Sequence, residues 1–291
     1  MKKTINRIVM SGGGVKGVAY IGLFRVLDEI RANLYANSET QIDIKEMCCV
    51  SIGSFIGLLY VVGYTYEELY KEVMDVDFSS LKDFRIKHLV NKYGMDNGRG
   101  ITGWLWSLLE KRGVSKDITF RELYRKFGVN FRVCVTNVNK YCMEIFDYTT
   151  NPNLKVVKAV RMSTSIPFVF CAERYNNNIY VDGAVVNNFP IRLYSDKLDT
   201  TLGCKIIGGN ELDEDRYYEI DSFDSYMVHL IGCFMSNRER DTTMINDYID
   251  HTICIPAHRI TQSVNYELTE QDKRNLIEMG YTCTLEYFDL V

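Results

Sequence analysis

The sequence has 291 residues and a formal net charge of −4, with 46% hydrophobic and 25% charged residues. This composition is typical of a folded globular protein and not of a disordered chain. A negative net charge gives no basic field of the kind that nucleic-acid-binding proteins carry, so we expect no nucleic-acid partner. The nine cysteines form no C-x-x-C pair and join no histidine at zinc-ligand spacing. They predict reduced thiols, and we expect no metal and no cofactor.

Apolar segments long enough to cross a bilayer are not expected. The longest apolar run, Ile52 to Gly63, is too short for this. Three glycines and Lys16 interrupt the apolar stretch near the amino terminus, which argues against a signal peptide. These features predict a cytoplasmic protein without a transmembrane segment that can still associate peripherally with a membrane.

The chain begins with a strand, a glycine-rich loop and a helix. Ile5 to Met10 is a β-rich run, Ser11 to Gly17 holds the glycines, and Val18 to Leu34 has apolar residues at helical spacing. Gly12, Gly14 and Gly17 match the G-x-G-x-x-G pattern of dinucleotide-binding loops, for which an acidic ribose partner would be Glu39 or Asp43. Alternatively, the successive glycines turn backbone N–H groups toward one point and form an oxyanion hole, to which Lys16 adds positive charge.

A second strand, Glu46 to Val50, ends directly at Ser51, and an apolar helix-like run follows. A serine in such a turn has its hydroxyl pushed out at the carboxyl edge of the sheet, where the helix aims free N–H groups. The alternative is an ordinary buried strand–turn–helix. Two neighbouring parallel strands would bring the glycine loop and Ser51 to one edge, which an acyl-transfer site needs and a dinucleotide site does not.

The stretch from 78 to 127 differs from the rest of the chain in charge. Between Lys82 and Lys126 there are eleven Lys and Arg against five Asp and Glu. Both tryptophans, Trp104 and Trp106, lie inside this stretch. A basic surface around tryptophans suits an anionic lipid interface. The alternative is a helical cap that packs its tryptophans inward, with solvated charges outside.

The remaining elements were predicted from periodicity and turn residues. We expect paired strands at 131–137 and 143–148, helices at 65–76, 154–162 and 269–279, and strands at 179–182, 204–209 and 251–255. The strand at 179–182 ends on Asp182, which precedes Gly183; an aspartate before a glycine is also a common turn. The acidic stretch 211–224 predicts a solvated linker, and the apolar face at 223–234 predicts a packed helix. Without repeats or Pro/Ser-rich linkers, we expect one domain over residues 1–291.

Four motifs follow one another in an order that resembles the patatin-like phospholipases. They are S-G-G-G-V-K-G from Ser11, C-V-S-I-G around Ser51, S-I-P-F from Ser165 and D-G-A-V-V-N-N-F-P from Asp182. The similarity runs from about residue 8 to residue 209. It implies a three-layer α/β/α fold with a mainly parallel central sheet, related to patatin and cytosolic phospholipase A2. It also implies hydrolysis of fatty-acyl esters of phospholipids or other acyl lipids at a membrane surface.

The resemblance also implies the site residues. By position, Ser51 is the nucleophile and Asp182 its base, a dyad without histidine. The oxyanion hole is then supplied by Gly12, Gly13 and Gly14. Supporting positions in the glycine loop and the turns are Lys16, Gly17, Gly53 and Gly183. The chain departs from the family at Cys49, where the serine motif has its first glycine, so we expect a slightly shifted turn.

Two other functions remain open from the sequence. Ser51, Asp182 and either His258 or His251 occur in the chain order of an α/β-hydrolase with a Ser-Asp-His triad. The glycines at 12, 14 and 17 also fit a non-enzymatic dinucleotide-binding module.

Overall fold

The computed structural model describes residues 4–35, 39–207, 246–260 and 266–290, with a few isolated positions between 208 and 245. The predicted acidic linker and most of the predicted apolar helix face at 223–234 lie outside the described residues. Within the described part of the chain, we find no helix that combines the length and apolarity needed to cross a membrane.

The strands and helices are numbered in chain order. The strands are β1 (Thr4–Met10), β2 (Gln41–Val50), β3 (Gly94–Asp96), β4 (Asn130–Asn137), β5 (Cys142–Phe146), β6 (Phe168–Phe170), β7 (Glu173–Tyr175), β8 (Asn178–Asp182), β9 (Thr201–Ile206) and β10 (Thr252–Ile255). The α-helices are α1 (Tyr20–Arg31), α2 (Ile52–Val61), α3 (Tyr66–Asp75), α4 (Ile86–Lys92), α5 (Arg99–Lys111), α6 (Phe120–Phe127), α7 (Val156–Ser163), α8 (Ala184–Asn187) and α9 (Glu270–Tyr287). Short 3₁₀-helices lie at Gly14–Ala19, Phe78–Leu81, Ile191–Tyr194, Leu198–Thr200, Asn246–His251 and Ala257–Arg259.

Eight of the described strands form one mixed, mainly parallel sheet. Its order is β10-β9-β1-β2-β4-β8-β7, and β5 also pairs with β4. The five adjacent strands from β10 to β4 run parallel to one another, whereas β5 and β8 run antiparallel to β4. Because β1 and β2 are parallel neighbours, the segments that follow them meet at the same edge. The predicted arrangement of the glycine loop and Ser51 is therefore confirmed.

The sheet lies between two layers of unequal thickness. Side chains alternate across β1 and β2, so that Met10 and Cys49 face the larger core, whereas Val9, Cys48 and Val50 face the smaller one. Helices α1, α2, α3 and α9 cover the larger core, and α8 with the neighbouring 3₁₀-helices covers the other face. The predicted three-layer α/β fold with a mainly parallel sheet is confirmed.

The predicted cap region from 78 to 127 is largely helical, as expected, but it also contains a strand that the sequence did not predict. β3 pairs in parallel with β6 to form a separate two-stranded ribbon. Within α5, the two tryptophans differ. Trp104 packs on Phe55 and Phe78 with ring centroids 5.0 and 5.7 Å away. Trp106 is 41% exposed. The inward-packed alternative is therefore right for the first tryptophan and wrong for the second.

Candidate active site

Ser51 occupies a tight turn between β2 and α2. Its backbone has φ 51° and ψ −128°, a conformation that non-glycine residues rarely adopt and that is strained. The turn is possible because Gly53 passes close to β1: a Cβ added there would lie 2.6 Å from the Ser11 carbonyl oxygen. Ser51 is buried. The strand–turn–helix predicted from the sequence therefore has the geometry of a nucleophile elbow.

Cys49 stands two residues before Ser51, where a glycine was expected from the motif. Its side chain faces α2, and a Cβ added at Gly57 would lie 2.9 Å from the Cys49 sulfur. The space that the motif provides by a glycine on the strand is therefore provided here by a glycine on the helix. The shift of the turn that we expect from Cys49 stays a prediction.

A second serine holds the elbow in place. The Ser51 N–H donates to the Ser163 Oγ at 2.8 Å, and the Ser163 hydroxyl in turn donates to the Cys134 carbonyl at 2.7 Å. All three residues are buried. A buried N–H without a partner is unfavourable, so this bridge stabilises the strained turn. No local signal in the sequence identifies Ser163, because its partners lie far away along the chain.

Asp182 ends β8 and contacts the elbow directly. The Ser51 Oγ donates to the Asp182 Oδ2 at 2.5 Å, and the Ala184 N–H donates to the Oδ1 at 2.9 Å. Burial raises the pKa of Asp182 from 3.8 to about 7, although both hydrogen bonds oppose this. The raised pKa makes the carboxylate a stronger base than an exposed aspartate. Gly183 follows so closely on β4 that a Cβ there would lie 2.4 Å from the Cys134 carbonyl oxygen.

The glycine loop lies beside Ser51, but its three glycines are not equivalent. The Gly12 N–H donates to the Asn188 Oδ1 at 2.9 Å. Among the described residues, no hydrogen bond from the N–H of Gly13 or Gly14 is found. Gly14 has φ 58°, in the left-handed region that favours glycine. The Gly12 N–H is therefore engaged by Asn188, and the oxyanion hole formed by Gly12, Gly13 and Gly14 stays a prediction.

The supporting residues of the loop have packing positions. A Cβ added at Gly17 would lie 2.4 Å from the Ile52 side chain, so this glycine lets the loop pack against the elbow. Lys16 is buried in the 3₁₀-helix that follows the glycines. Asn188 was read from the sequence only as a loop residue, because its contact with Gly12 joins segments 176 residues apart.

Ser51 opens into a pocket with predominantly apolar walls. The pocket is lined by the elbow, the glycine loop, α5, the β3–β6 ribbon and the segment before α9. Its apolar side chains include those of Ile56, Phe78, Ile101, Trp104 and Phe170. Walls of this kind favour contact with a hydrocarbon chain beside a serine hydroxyl. Tyr266, near the carboxyl end, also contributes to the wall and was not predicted from the sequence.

The two alternative sites are not assembled. The direct contact between Ser51 and Asp182 leaves no imidazole between them, and all four histidines are among the described residues. None of them hydrogen-bonds to either side chain. A Cβ added at Gly12 would lie 2.6 Å from Asn188 and 2.8 Å from Ser51, so these side chains fill the space over the loop. Among the described residues, no three His, Cys, Asp or Glu side chains are grouped as metal ligands.

Comparison with known proteins agrees with this architecture. A family model described as patatin-like phospholipase matches residues 8–193. The chain therefore belongs to the patatin-like phospholipase family and is a lipid ester hydrolase. It is 31% identical over 194 residues to the probable lipid hydrolase 463L of Invertebrate iridescent virus 6, across 65% of this chain and 63% of that protein. It is 29% identical over 282 residues to the uncharacterized protein R571 of Acanthamoeba polyphaga mimivirus, across 95% of this chain and 91% of that protein.

Among solved structures, VipD from Legionella pneumophila has a similar fold. The TM-score is 0.63 at 17% sequence identity, and the match covers 99% of this chain and 67% of VipD. Identity this low supports the fold alone. The family membership predicted from the four motifs is confirmed, and the non-enzymatic dinucleotide-binding module is wrong.

Proposed function

We propose that the protein hydrolyses fatty-acyl esters of membrane lipids through an acyl-enzyme on Ser51, with Asp182 as the base. The observation that carries this proposal is the direct 2.5 Å hydrogen bond from the Ser51 Oγ to the Asp182 Oδ2 at the base of an apolar pocket. A serine hydroxyl is a poor nucleophile until a base removes its proton. The raised pKa of Asp182 suits a base that works near neutral pH.

The reaction would proceed in two steps. The ionised Asp182 takes the Ser51 proton while the Ser51 Oγ attacks the ester carbonyl carbon. Asp182 then returns that proton to the leaving alcohol as the carbon–oxygen bond breaks, which leaves the acyl group on Ser51. In the second step, a water molecule gives its proton to Asp182 and attacks the acyl carbon. Return of the proton to the Ser51 Oγ releases the fatty acid and the free enzyme.

The negative charge on the carbonyl oxygen in both steps needs donors. We propose that the N–H groups of Gly13 and Gly14 provide them, because neither donates elsewhere among the described residues. Gly12 would act indirectly, since its hydrogen bond to Asn188 fixes the loop next to the nucleophile. One such donor typically contributes about 3 kcal/mol to the stabilisation of the transition state.

We also propose that residues 1–291 form one domain in which the region from 78 to 127 serves as a cap. Support comes from α9, near the carboxyl end, which packs on α1 so closely that a Cβ at Gly22 would lie 2.0 Å from the Ile277 carbonyl oxygen. The cap supplies Phe78, Ile101 and Trp104 to the pocket wall. Its apolar side would then hold the acyl chain of the substrate.

The proposal is tested by labelling with a fluorophosphonate, which reacts covalently with activated serines. We expect labelling of Ser51 in the wild-type protein and none in Ser51→Ala. Single substitutions His251→Asn and His258→Asn should keep activity within a few-fold of wild type, because no histidine takes part in a dyad. Labelling at another serine, or loss of turnover in a folded histidine variant, would contradict the proposal.

A further inference from the structure

The β3–β6 ribbon separates two pockets of different character. Asp96 and Phe170 line the apolar pocket above Ser51. Their sequence neighbours Asn97 and Cys171 line a second pocket, which is mainly polar. Because consecutive residues at the ends of both strands line different pockets, the two pockets lie next to each other at the ribbon. A molecule bound in the second pocket is therefore next to the catalytic pocket.

Exposed apolar side chains surround the same ribbon. Phe84 forms a bridge with Asp96, and Phe168 pairs with Gly94 across the ribbon. Val90 lies on α4, which packs on β3, and Tyr93 joins the two. These four side chains are between 42% and 79% exposed. Single exposed apolar residues are common on soluble proteins, but a group on one small substructure indicates an interaction surface.

Basic side chains line the second pocket without acidic partners. Lys92, Arg99 and Arg174 are exposed there and form no ion pair among the described residues. The only acidic side chain of this pocket, Glu173, lies 3.7 Å from the buried Arg161. The positive charge of the pocket is therefore not balanced by the protein, which favours an anionic ligand.

Three other basic residues of the cap region are already paired. Lys111 forms an ion pair of 2.6 Å with Glu72, and Arg112 pairs with Glu68. Arg85 lies 2.8 Å from Asp83. The excess of positive charge that the sequence predicts between 82 and 126 is therefore available mainly near the ribbon and on the outer face of the cap.

We propose that the ribbon surface, defined as Phe84, Val90, Tyr93, Phe168, Lys92, Arg99 and Arg174, docks on a bilayer that contains anionic phospholipids. The apolar side chains enter the interface, and the three cations bind lipid phosphates. Because the ribbon is also a wall of the catalytic pocket, docking sets that pocket beside the lipid. This inference rests on the proposed function, because docking matters only if the protein cleaves membrane lipids. The binding experiments below do not depend on hydrolysis. It assigns docking to the ribbon and not to the exposed Trp106 side of α5.

The charge test compares two triple variants with the same loss of charge. The ribbon variant is Lys92→Gln, Arg99→Gln and Arg174→Gln. The matched control is Lys116→Gln, Arg121→Gln and Arg125→Gln, which removes three cations from the Trp106 side and from α6. Both are made in a Ser51→Ala background so that lipids are not cleaved, and both are checked by circular dichroism and melting temperature. Binding is measured by co-sedimentation with vesicles of phosphatidylcholine alone or mixed with phosphatidylglycerol.

We expect the ribbon variant to bind the mixed vesicles on the order of 100-fold more weakly, since each cation near an anionic surface contributes about fivefold. The control should lose no more than a few-fold. Equal losses would indicate diffuse electrostatics and overturn the proposal, and a larger loss in the control would assign docking to the Trp106 side. If inorganic phosphate binds the wild-type protein more tightly than the ribbon variant, but both proteins bind the mixed vesicles equally, the pocket takes free phosphate and membrane docking is refuted.

The apolar test is independent of charge. Phe84→Ser with Val90→Ser removes two exposed side chains of the ribbon surface. The control, Leu34→Ser with Ile249→Ser, removes two exposed side chains outside this surface, one after α1 and one before β10. We expect only the first pair to weaken vesicle binding, by about tenfold or more. Equal binding by both pairs would contradict insertion. Hydrolysis of a soluble short-chain ester by the wild-type protein tests the proposed function separately, because it needs no vesicle.

Discussion

Asp182 should make the protein less stable as the pH rises, and its replacement by asparagine should abolish this contribution to the pH dependence. At pH values below 3.8 the carboxyl is protonated in both the folded and the unfolded chain and has no effect. Between pH 3.8 and about 7 the unfolded chain releases the proton whereas the folded protein retains it, so the free energy of unfolding falls with rising pH. Above pH 7 the loss in the free energy of unfolding reaches its full value of about 4 kcal/mol.

The substitution Asp182→Asn keeps the size of the side chain and removes the charge. Between pH 5 and pH 8, we expect the free energy of unfolding of the wild-type protein to fall by roughly 2.5 kcal/mol relative to that of the variant. This follows from a pKa of about 7 in the folded protein against 3.8 in the unfolded chain. At the same time the variant should fall to the residual activity of Ser51→Ala, because it lacks the proton acceptor. A variant that is more stable and inactive at pH 8 is the expected combination.

The measurement is urea denaturation of both proteins at pH 5, 6, 7 and 8, with the midpoints compared at each pH. The relative shift should be about 1 M urea across the series, given the usual dependence of stability on urea. Ser51→Ala serves as a control, because it keeps the carboxyl and should show at least the wild-type pH dependence. Parallel stability curves for wild type and Asp182→Asn from pH 5 to 8 would refute the reasoning.

Further predictions concern turnover and packing around the elbow. Turnover of a soluble ester by the wild-type protein should rise with pH and reach half its maximum near pH 7, since Asp182 must be ionised; a midpoint near pH 4 in a pH–rate profile would contradict the raised pKa. Ser163→Ala should lower the melting temperature, with a loss of stability of about 1–3 kcal/mol, because it leaves the buried Ser51 N–H without a hydrogen bond. Unchanged stability would exclude the bridging role of Ser163. Gly57→Ala should destabilise by about 1–3 kcal/mol, and Cys49→Gly in the same chain should restore most of this in a double-mutant cycle; additive effects would show that the two sites are independent.

The parts of the site that the sequence predicted are those with local signals. Glycines at close spacing after a strand and a serine between a strand and a helix can be recognised from neighbouring residues, and both were placed correctly at the edge of the sheet. Asp182 had no such signal of its own, since an aspartate before a glycine is a common turn. It was identified only because several motifs stood in the order of one family.

The parts that were missed depend on contacts between distant segments. Ser163 and Asn188 acquire their partners only in the folded chain, 112 and 176 residues away. Strands β3 and β6 have three residues each, too few for an alternating pattern to show. The pKa of Asp182 depends on burial, which no spacing of residues reveals. Because this pKa overlaps the range of histidine, a pH–rate profile alone does not distinguish a dyad from a triad.

Strand β4 contributes no reacting atom, yet it lies between β2 and β8 and therefore sets the distance between the backbones of Ser51 and Asp182. Val50 is paired with Cys134 and Val135 with Asp182, so the positions of nucleophile and base lie in line across three strands. Two strand spacings, about 10 Å in all, separate them, and backbone hydrogen bonds fix this distance. Substitutions of side chains along β4 should therefore leave the backbone distance between Ser51 and Asp182 unchanged. A one-residue insertion or deletion in β4 would shift the register and separate Ser51 from Asp182. The constraint on β4 is therefore on its length more than on its composition.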